Sequence, residues 1–265
     1  MTLDAVERKY SVILCDLWGC IHDGVNLYPG AAERVARWHS DGRKIIFITN
    51  APRTADAVAR QLDRLGLPRL WEGIATSGEA GIACLKEAER PVGFIGTASD
   101  QADLESRGVR IATGDDFSEL ACAGLDERRR QVADYEEEIA PLAGRDVLMH
   151  CLNPDRVVIR GGVAEPCAGA IADRYEALGG RVEYYGKPYP AIYRHAMKLA
   201  GDPPPSDVLA IGDGLNTDIL GAARMGYDCV YVTGGISGGE GIPPGFAANN
   251  GLGDWQAVAV VDGLH

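Results

Sequence analysis

Four short stretches of the sequence carry side chains that could do chemistry together. Asp16 follows the apolar run Ser11 to Cys15, and Thr49 and Asn50 close the run that begins at Lys44. Lys187 stands in Gly186-Lys187-Pro188, and Asp213 and Asp218 lie in Gly212-Asp213-Gly214-Leu215-Asn216-Thr217-Asp218, after Val208 to Ile211. Three carboxylates crowded at one place repel one another and take up protons unless a cation neutralises them. Oxygen donors without a His or Cys cluster suit a hard divalent ion, Mg2+. That ion, the hydroxyl and amide of Thr49 and Asn50, and the ammonium of Lys187 would clamp a dianion such as a phosphoryl group. Asp16 beside such a clamp could attack phosphorus as a nucleophile. Singly, each residue has a plainer reading: Asp16, Asp213 and Asp218 as helix caps, Thr49-Asn50 as a turn. Their shared position at strand ends is what points to chemistry.

The elements that must position these residues can be read from pattern. Ser11 to Cys15, Lys44 to Thr49, Val208 to Ile211 and Cys229 to Val232 are short, nearly continuous apolar runs, as expected of strands covered on both faces in a parallel sheet. Gly30 to His39 and Thr54 to Leu65 place apolar residues at helical spacing. Strand alternating with helix implies a doubly wound, Rossmann-like α/β core with right-handed crossovers. Between about Thr76 and Tyr185 a second set appears: strands at Val92 to Ile95, Val147 to Cys151 and Val157 to Ile159, with helices at Glu79 to Glu87, Asp126 to Ala140 and Pro166 to Leu178. The expected division is a core of residues 1–75 plus 186–265 and an inserted α/β cap domain of residues 76–185. Ligand sites of doubly wound sheets lie beyond the carboxyl ends of the strands, where such an insertion would roof them. Gly234 to Gly241 follows a strand but runs into Ile242-Pro243-Pro244 without opening a helix, so it reads as a surface loop and not as a phosphate loop.

Composition bounds the partners. At 265 residues, 46% of them apolar, the chain can bury a large core and still form two domains. Its formal charge is −12, which argues against a nucleic-acid partner. Arg128-Arg129-Arg130, flanked by Glu127 and Glu136-Glu137-Glu138, is expected to be a solvated helix face. Seven cysteines without a CxxC pair favour a reducing compartment. The acidic start Met1-Thr2-Leu3-Asp4 has no apolar leader, and no run of about 18 apolar residues occurs. The expectation is a cytoplasmic protein with no membrane partner.

In order along the chain, these motifs match the four signatures of the haloacid dehalogenase superfamily. Asp16 resembles the nucleophile, Thr49 and Asn50 the phosphate-binding pair, Lys187 the third signature, and Asp213 with Asp218 the acidic fourth. The insertion between the second and third signatures, with Gly-Lys-Pro and Gly-Asp-x-x-x-Thr-Asp-Ile, is similar to class IIA, the NagD-like phosphatases with a C2-type α/β cap. Asn153-Pro154-Asp155 resembles a recurrent cap element of that class, which makes Asn153 and Asp155 candidate substrate contacts, although Asn-Pro-Asp is also a turn by composition. The resemblance implies Mg2+ held by Asp16, Asp213 and the carbonyl of Trp18, with Asp218 supporting, a small phosphorylated metabolite as substrate, and a homodimer as a family-level expectation. Asp-x-Trp-Gly followed by His-Asp-Gly looks like a small uncharacterised subgroup of the class.

The sequence departs from the superfamily pattern at Trp18. Most of these phosphatases carry a second aspartate two residues after the nucleophile, where it protonates the leaving alkoxide and then activates water. An indole does neither, and losing one general acid/base costs about 10² to 10⁴ in rate. Three readings follow. The enzyme hydrolyses phosphate esters with a leaving group that needs no acid, or with His22 or Asp23 supplying the proton. Alternatively it releases halide as the haloacid dehalogenases do, a reading that Asp213 and Asp218 oppose. Or it is a weak or inactive phosphate-ester-binding protein on the same scaffold.

Overall fold

The computed structural model describes residues 3–160, 163–235 and 239–265. Ile236, Ser237 and Gly238 of the expected glycine-rich loop lie outside the described residues. Along the chain the strands are β1 (Val12–Asp16), β2 (Lys44–Thr49), β3 (Gly73–Thr76), β4 (Gly93–Ile95), β5 (Glu119–Cys122), β6 (Leu148–Cys151), β7 (Val157–Arg160), β8 (Val163–Pro166), β9 (Arg181–Tyr184), β10 (Val208–Gly212), β11 (Asp228–Val232) and β12 (Ala259–Val261).

The chain divides into two compact units. Met1–Thr49, Ala55–Ala75 and Lys187–His265 form the first, and Asn50–Thr54 with Thr76–Gly186 the second. The first holds a six-stranded sheet in the order β12-β11-β10-β1-β2-β3. β1 runs parallel to both β2 and β10, and every one of its residues is buried, as a strand covered on both faces requires. Register sets Asp16 beside Ile48 and Cys15 beside Ile211, so the carboxyl ends of β1, β2 and β10 lie side by side. Because successive connections from β1 leave toward opposite edges of the sheet, this is its topological switch point. The helix Ala31–Ser40 buries Val35 and Trp38, and Ala55–Leu65 buries Val58, Ala59 and Leu62. Glu7, buried near the N-terminus, accepts the Trp38 indole N–H at 2.7 Å, so a polar group deep in the core has its partner.

The second unit has its own parallel sheet, β4-β5-β6-β9, and a separate antiparallel β7-β8 hairpin. Leu120, Met149, Cys151, Ile171 and the rings of Tyr135 and Tyr175 fill its core. Tyr175 gives its hydroxyl to the Val147 carbonyl at 2.7 Å.

The doubly wound α/β architecture is therefore as the sequence implies, with one helix to correct. Asp126 to Ala140 is not a single helix: a 3₁₀ turn, Val132–Tyr135, leads into a helix at Glu136–Gly144. Two local hydrogen bonds divert the chain before it. Asp126 accepts the Arg128 N–H at 2.8 Å, and the Tyr135 hydroxyl accepts the Asp126 N–H at 2.6 Å. The arginine triplet thus lies in and beside a turn, with Arg129 over the Tyr135 ring and paired to Glu138. β3 and β9 have too few apolar residues in a row to declare themselves, whereas β5 and β12 lie in apolar runs, Leu120 to Ala123 and Ala257 to Val261, that the sequence reading passed over. No helix among the described residues is long and apolar enough to cross a membrane.

Candidate active site

Asp16 ends β1 and is 5% exposed. The chain then folds back tightly: the Leu17 carbonyl accepts the N–H groups of Ile21 and His22 at 2.8 and 3.0 Å, and Gly19 donates to the His22 carbonyl at 3.0 Å. Trp18 and His22 form a parallel bridge made by the backbone groups of Leu17 and Gly19, leaving the Trp18 carbonyl outside it. Gly19 has φ +87°, a left-handed conformation, and a Cβ there would collide with the Asp213 carboxylate. A Cβ at Gly235 would strike the same carboxylate, so Asp213 is seated between two glycines.

Asp213 follows β10, and Asp218 lies on a five-residue π-helical turn, Leu215–Ile219, that continues into a helix at Leu220–Arg224. The expected helix near Asn216 thus begins with a widened turn, a form that recurs at functional sites. Asp218 Oδ2 accepts the Gly214 N–H at 3.0 Å, while the Tyr193 hydroxyl donates to the Thr217 and Asp218 carbonyls at 3.3 Å.

Lys187 joins the pieces. Its Nζ donates to Asp16 Oδ1 and Asp218 Oδ1, both at 2.6 Å, and to the Ile48 carbonyl at 3.5 Å, and the residue is 3% exposed. Burial alone would lower its pKa, but the carboxylates of Asp16 and Asp218 outweigh burial and hold it well above the lysine range. Three buried carboxylates face one ammonium, which leaves negative charge in excess. Burial first, and then Asp218 and Asp213, push Asp16 well above the usual carboxylate range, and Lys187 offsets this only in part.

A cation would relieve that excess, and the donors fit one. Single ligand atoms of Asp16, Cys20 and Asp213 lie within 4.8 Å of one another, all buried. Asp16 has one oxygen on Lys187 and the other free of it, whereas Asp218 has its two oxygens engaged by Lys187 and Gly214. The carboxylates of Asp16 and Asp213 suit a small hard ion.

His22 is buried, not a surface residue, and its ring meets the Trp18 indole edge-on at 5.5 Å and 77°. Its Nδ1 accepts the Gly24 N–H at 3.0 Å, which puts the ring proton on Nε2 in a neutral imidazole. An imidazolium would turn two N–H groups toward each other. Asp23 is exposed and caps the local turn through the N–H groups of Val25 and Asn26.

The remaining expected residues fall into separate places. Thr49 is half-buried at the end of β2 in the first unit. Asn50 belongs to the second unit, where its amide donates to Asp155 Oδ1 at 2.8 Å. Asn153 Oδ1 accepts the Asp155 N–H at 3.1 Å, so Asn153-Pro154-Asp155 is a side-chain-closed turn. Asp16, Lys187, Asp213 and Asp218 therefore come together in one unit, and Asn50, Asn153 and Asp155 in the other. Sequence reasoning missed Cys20, whose thiol reaches the carboxylates, and Tyr193, which braces the turn bearing Asp218. Cys20 offered a signal in its position, four residues after Asp16; Tyr193 offered none, since its partner is a backbone 24 residues away.

Comparison with known proteins agrees with this geometry. The family model described as haloacid dehalogenase-like hydrolase matches residues 13–110, and a second, HAD-hydrolase-like, matches residues 184–250. The acid sugar phosphatase of Staphylococcus aureus is 26% identical over 235 residues, covering 87% of this chain and 89% of the relative. The structure of NagD from E. coli K-12 superposes with a TM-score of 0.72 at 23% identity, covering 97% of each chain. A haloacid dehalogenase-like hydrolase from Brucella suis 1330 superposes with a TM-score of 0.86 at 30% identity, covering 99% of this chain and 98% of that one. The chain belongs to the haloacid dehalogenase-like hydrolase family.

Proposed function

We propose that the chain is a Mg2+-dependent phosphomonoester hydrolase of the class IIA, NagD-like kind, acting on a small phosphorylated metabolite. The observation that carries this is Lys187 held at 2.6 Å from both Asp16 and Asp218, with Asp213 beside Asp16 and negative charge left over. Such a site attracts a cation and a phosphoryl group together. The name of the Staphylococcus aureus relative supports a sugar phosphate as the substrate class.

In this reading the bound ion supplies charge neutralisation to the phosphoryl oxygens. Asp16 attacks phosphorus with its carboxylate, the P–O bond to the leaving group breaks, and an aspartyl-phosphate forms. Water then attacks phosphorus, returning free Asp16 and inorganic phosphate. Lys187 orients Asp16, favours its ionised form together with the cation and balances charge on the transferring group, Asp218 keeps Lys187 in place, and Thr49 gives a hydroxyl to the phosphoryl group.

Trp18 occupies the position where relatives of this superfamily place the proton donor. His22, the substitute acid suggested by the sequence, has its Nδ1 taken up by the Gly24 N–H, which leaves Nε2 as the ring nitrogen that could give a proton. Sugar and other alkyl phosphates, whose leaving oxygen needs a proton, are therefore turned over slowly, and esters whose leaving oxygen is stable without protonation fastest. Trp18 is also the one feature that favours a second reading, a phosphate-ester-binding protein with little turnover. A panel of aryl, sugar and alkyl phosphates, run with Mg2+ and with chelator, separates them. Cation-dependent release of phosphate that is fastest for acidic leaving groups supports the hydrolase; ester binding without release at any pH supports the second reading. The Asp213 and Asp218 carboxylates oppose metal-free halide release, which the same preparation tests with 2-haloacids.

A further inference from the structure

The seven cysteines are all unbridged, and six of their thiols have a hydrogen-bond partner. Cys15, Cys151, Cys167 and Cys229 donate to backbone carbonyls, Cys122 meets the backbone of Gly124, and Cys84 meets the Tyr185 hydroxyl. Cys20 alone has none among the described residues, although it is 2% exposed and its sulfur lies within 4.8 Å of a carboxylate oxygen of both Asp16 and Asp213. A buried, unpartnered thiol aimed at two carboxylates is the donor set O, O, S.

We propose that Cys20 is a soft ligand at this site, so that Asp16, Cys20 and Asp213 bind a thiophilic divalent cation of the zinc and cadmium class in competition with the hard ion. The proposal rests on reading Asp16 and Asp213 as cation ligands. Tetrahedral bonds of about 2.0–2.3 Å set ligand atoms roughly 3.5 Å apart, so the three donors need to draw in by about 1 Å. As the metal–sulfur bond forms, the thiol proton leaves to solvent, and no oxidation or reduction is involved. A hard ion such as Mg2+ ignores sulfur and leaves Cys20 as a thiol, whereas the zinc-class ion gains a third protein ligand.

The test uses the full chain carrying Cys84→Ser, which removes the one exposed thiol. Cd2+ is titrated alone, following the ultraviolet thiolate-to-cadmium charge-transfer band, and Mg2+ and Cd2+ binding are measured by calorimetry. Expected are one Cd2+ per chain with the band, displacement of that Cd2+ by excess Mg2+, loss of the band on adding Cys20→Ser, and Cd2+ affinity lower by at least about tenfold in that variant while Mg2+ still binds. A band that survives Cys20→Ser, or tight Cd2+ binding at this site without a band, overturns the proposal and leaves the hard-ion site standing. Failure of both ions to bind overturns the hard-ion reading as well, so the two failures are distinguishable.

Discussion

Adding Mg2+ to the cation-free protein should stabilise it, and more so at about pH 8 than at about pH 5. The cause is the excess charge around Lys187: burial, Asp218 and Asp213 raise the pKa of Asp16 well above its unfolded value. A carboxyl with a raised folded pKa binds more protons folded than unfolded at any pH between the two values. Its contribution to stability is therefore present in acid and declines as pH rises toward the folded pKa. Lys187, held above the lysine range, stays charged throughout this window and adds no slope. A cation competes with the proton for Asp16, so it gives back at high pH what proton loss removes. At a cation concentration one hundred times Kd the gain is about 2.7 kcal/mol. With roughly 2–4 °C per kcal/mol for a chain of this size, the melting temperature should rise by about 5–10 °C at about pH 8 and by less at about pH 5. Asp16→Asn removes one of the three carboxylates, and in the cation-free protein at about pH 8 it should be neutral to stabilising, by up to about 1–4 kcal/mol, while abolishing the Mg2+ response. Differential scanning fluorimetry across the two pH values reads all of this. A Mg2+ shift that is absent, or larger in acid, refutes the charge reasoning.

Other outcomes follow from single residues. Trp18→Asp restores a carboxyl at the usual proton-donor position and should speed hydrolysis of alkyl phosphates by about 10² or more while changing aryl phosphates little; equal effects on both would show that protonation is not what the wild type lacks. For His22→Gln, steady-state kinetics on an aryl phosphate should show kcat within about tenfold of wild type, because an aryl leaving oxygen needs no proton; a loss of about 10³ would make His22 the acid. Gly19→Ala forces a left-handed residue and drives Cβ into the Asp213 carboxylate, so it should weaken Mg2+ binding by calorimetry more than it lowers folding stability, a cost of about 1–3 kcal/mol.

Much of the core and its site is legible in the sequence because the informative residues sit at the ends of β1, β2 and β10, whose continuous apolar runs mark buried parallel strands by residue type alone. Lys187 is a different case. Nothing in the spacing of residues 16, 187 and 218 shows that one ammonium would bridge two carboxylates at 2.6 Å; the motif resemblance implies only a place for Lys187 in the site, and the geometry displays the bridge. The pairing of Asn50 with Asp155 is hidden for the same reason, being a contact across 105 residues of sequence. The burial of His22 is not legible because a loop position says little of it, and the Gly24 N–H against its Nδ1 is a backbone feature that side-chain types do not reveal. The helix expected from Asp126 rests on charged residues at helical spacing, where an aspartate and a tyrosine hydroxyl capture the backbone instead.

The most direct measurement is phosphate release from an aryl phosphate by wild type and Asp16→Asn, each with Mg2+ and with chelator, on protein shown to be folded. Release by wild type that requires the cation and vanishes in Asp16→Asn is the expected result; release that survives Asp16→Asn, or that chelator leaves untouched, contradicts a cation-assisted nucleophile at Asp16.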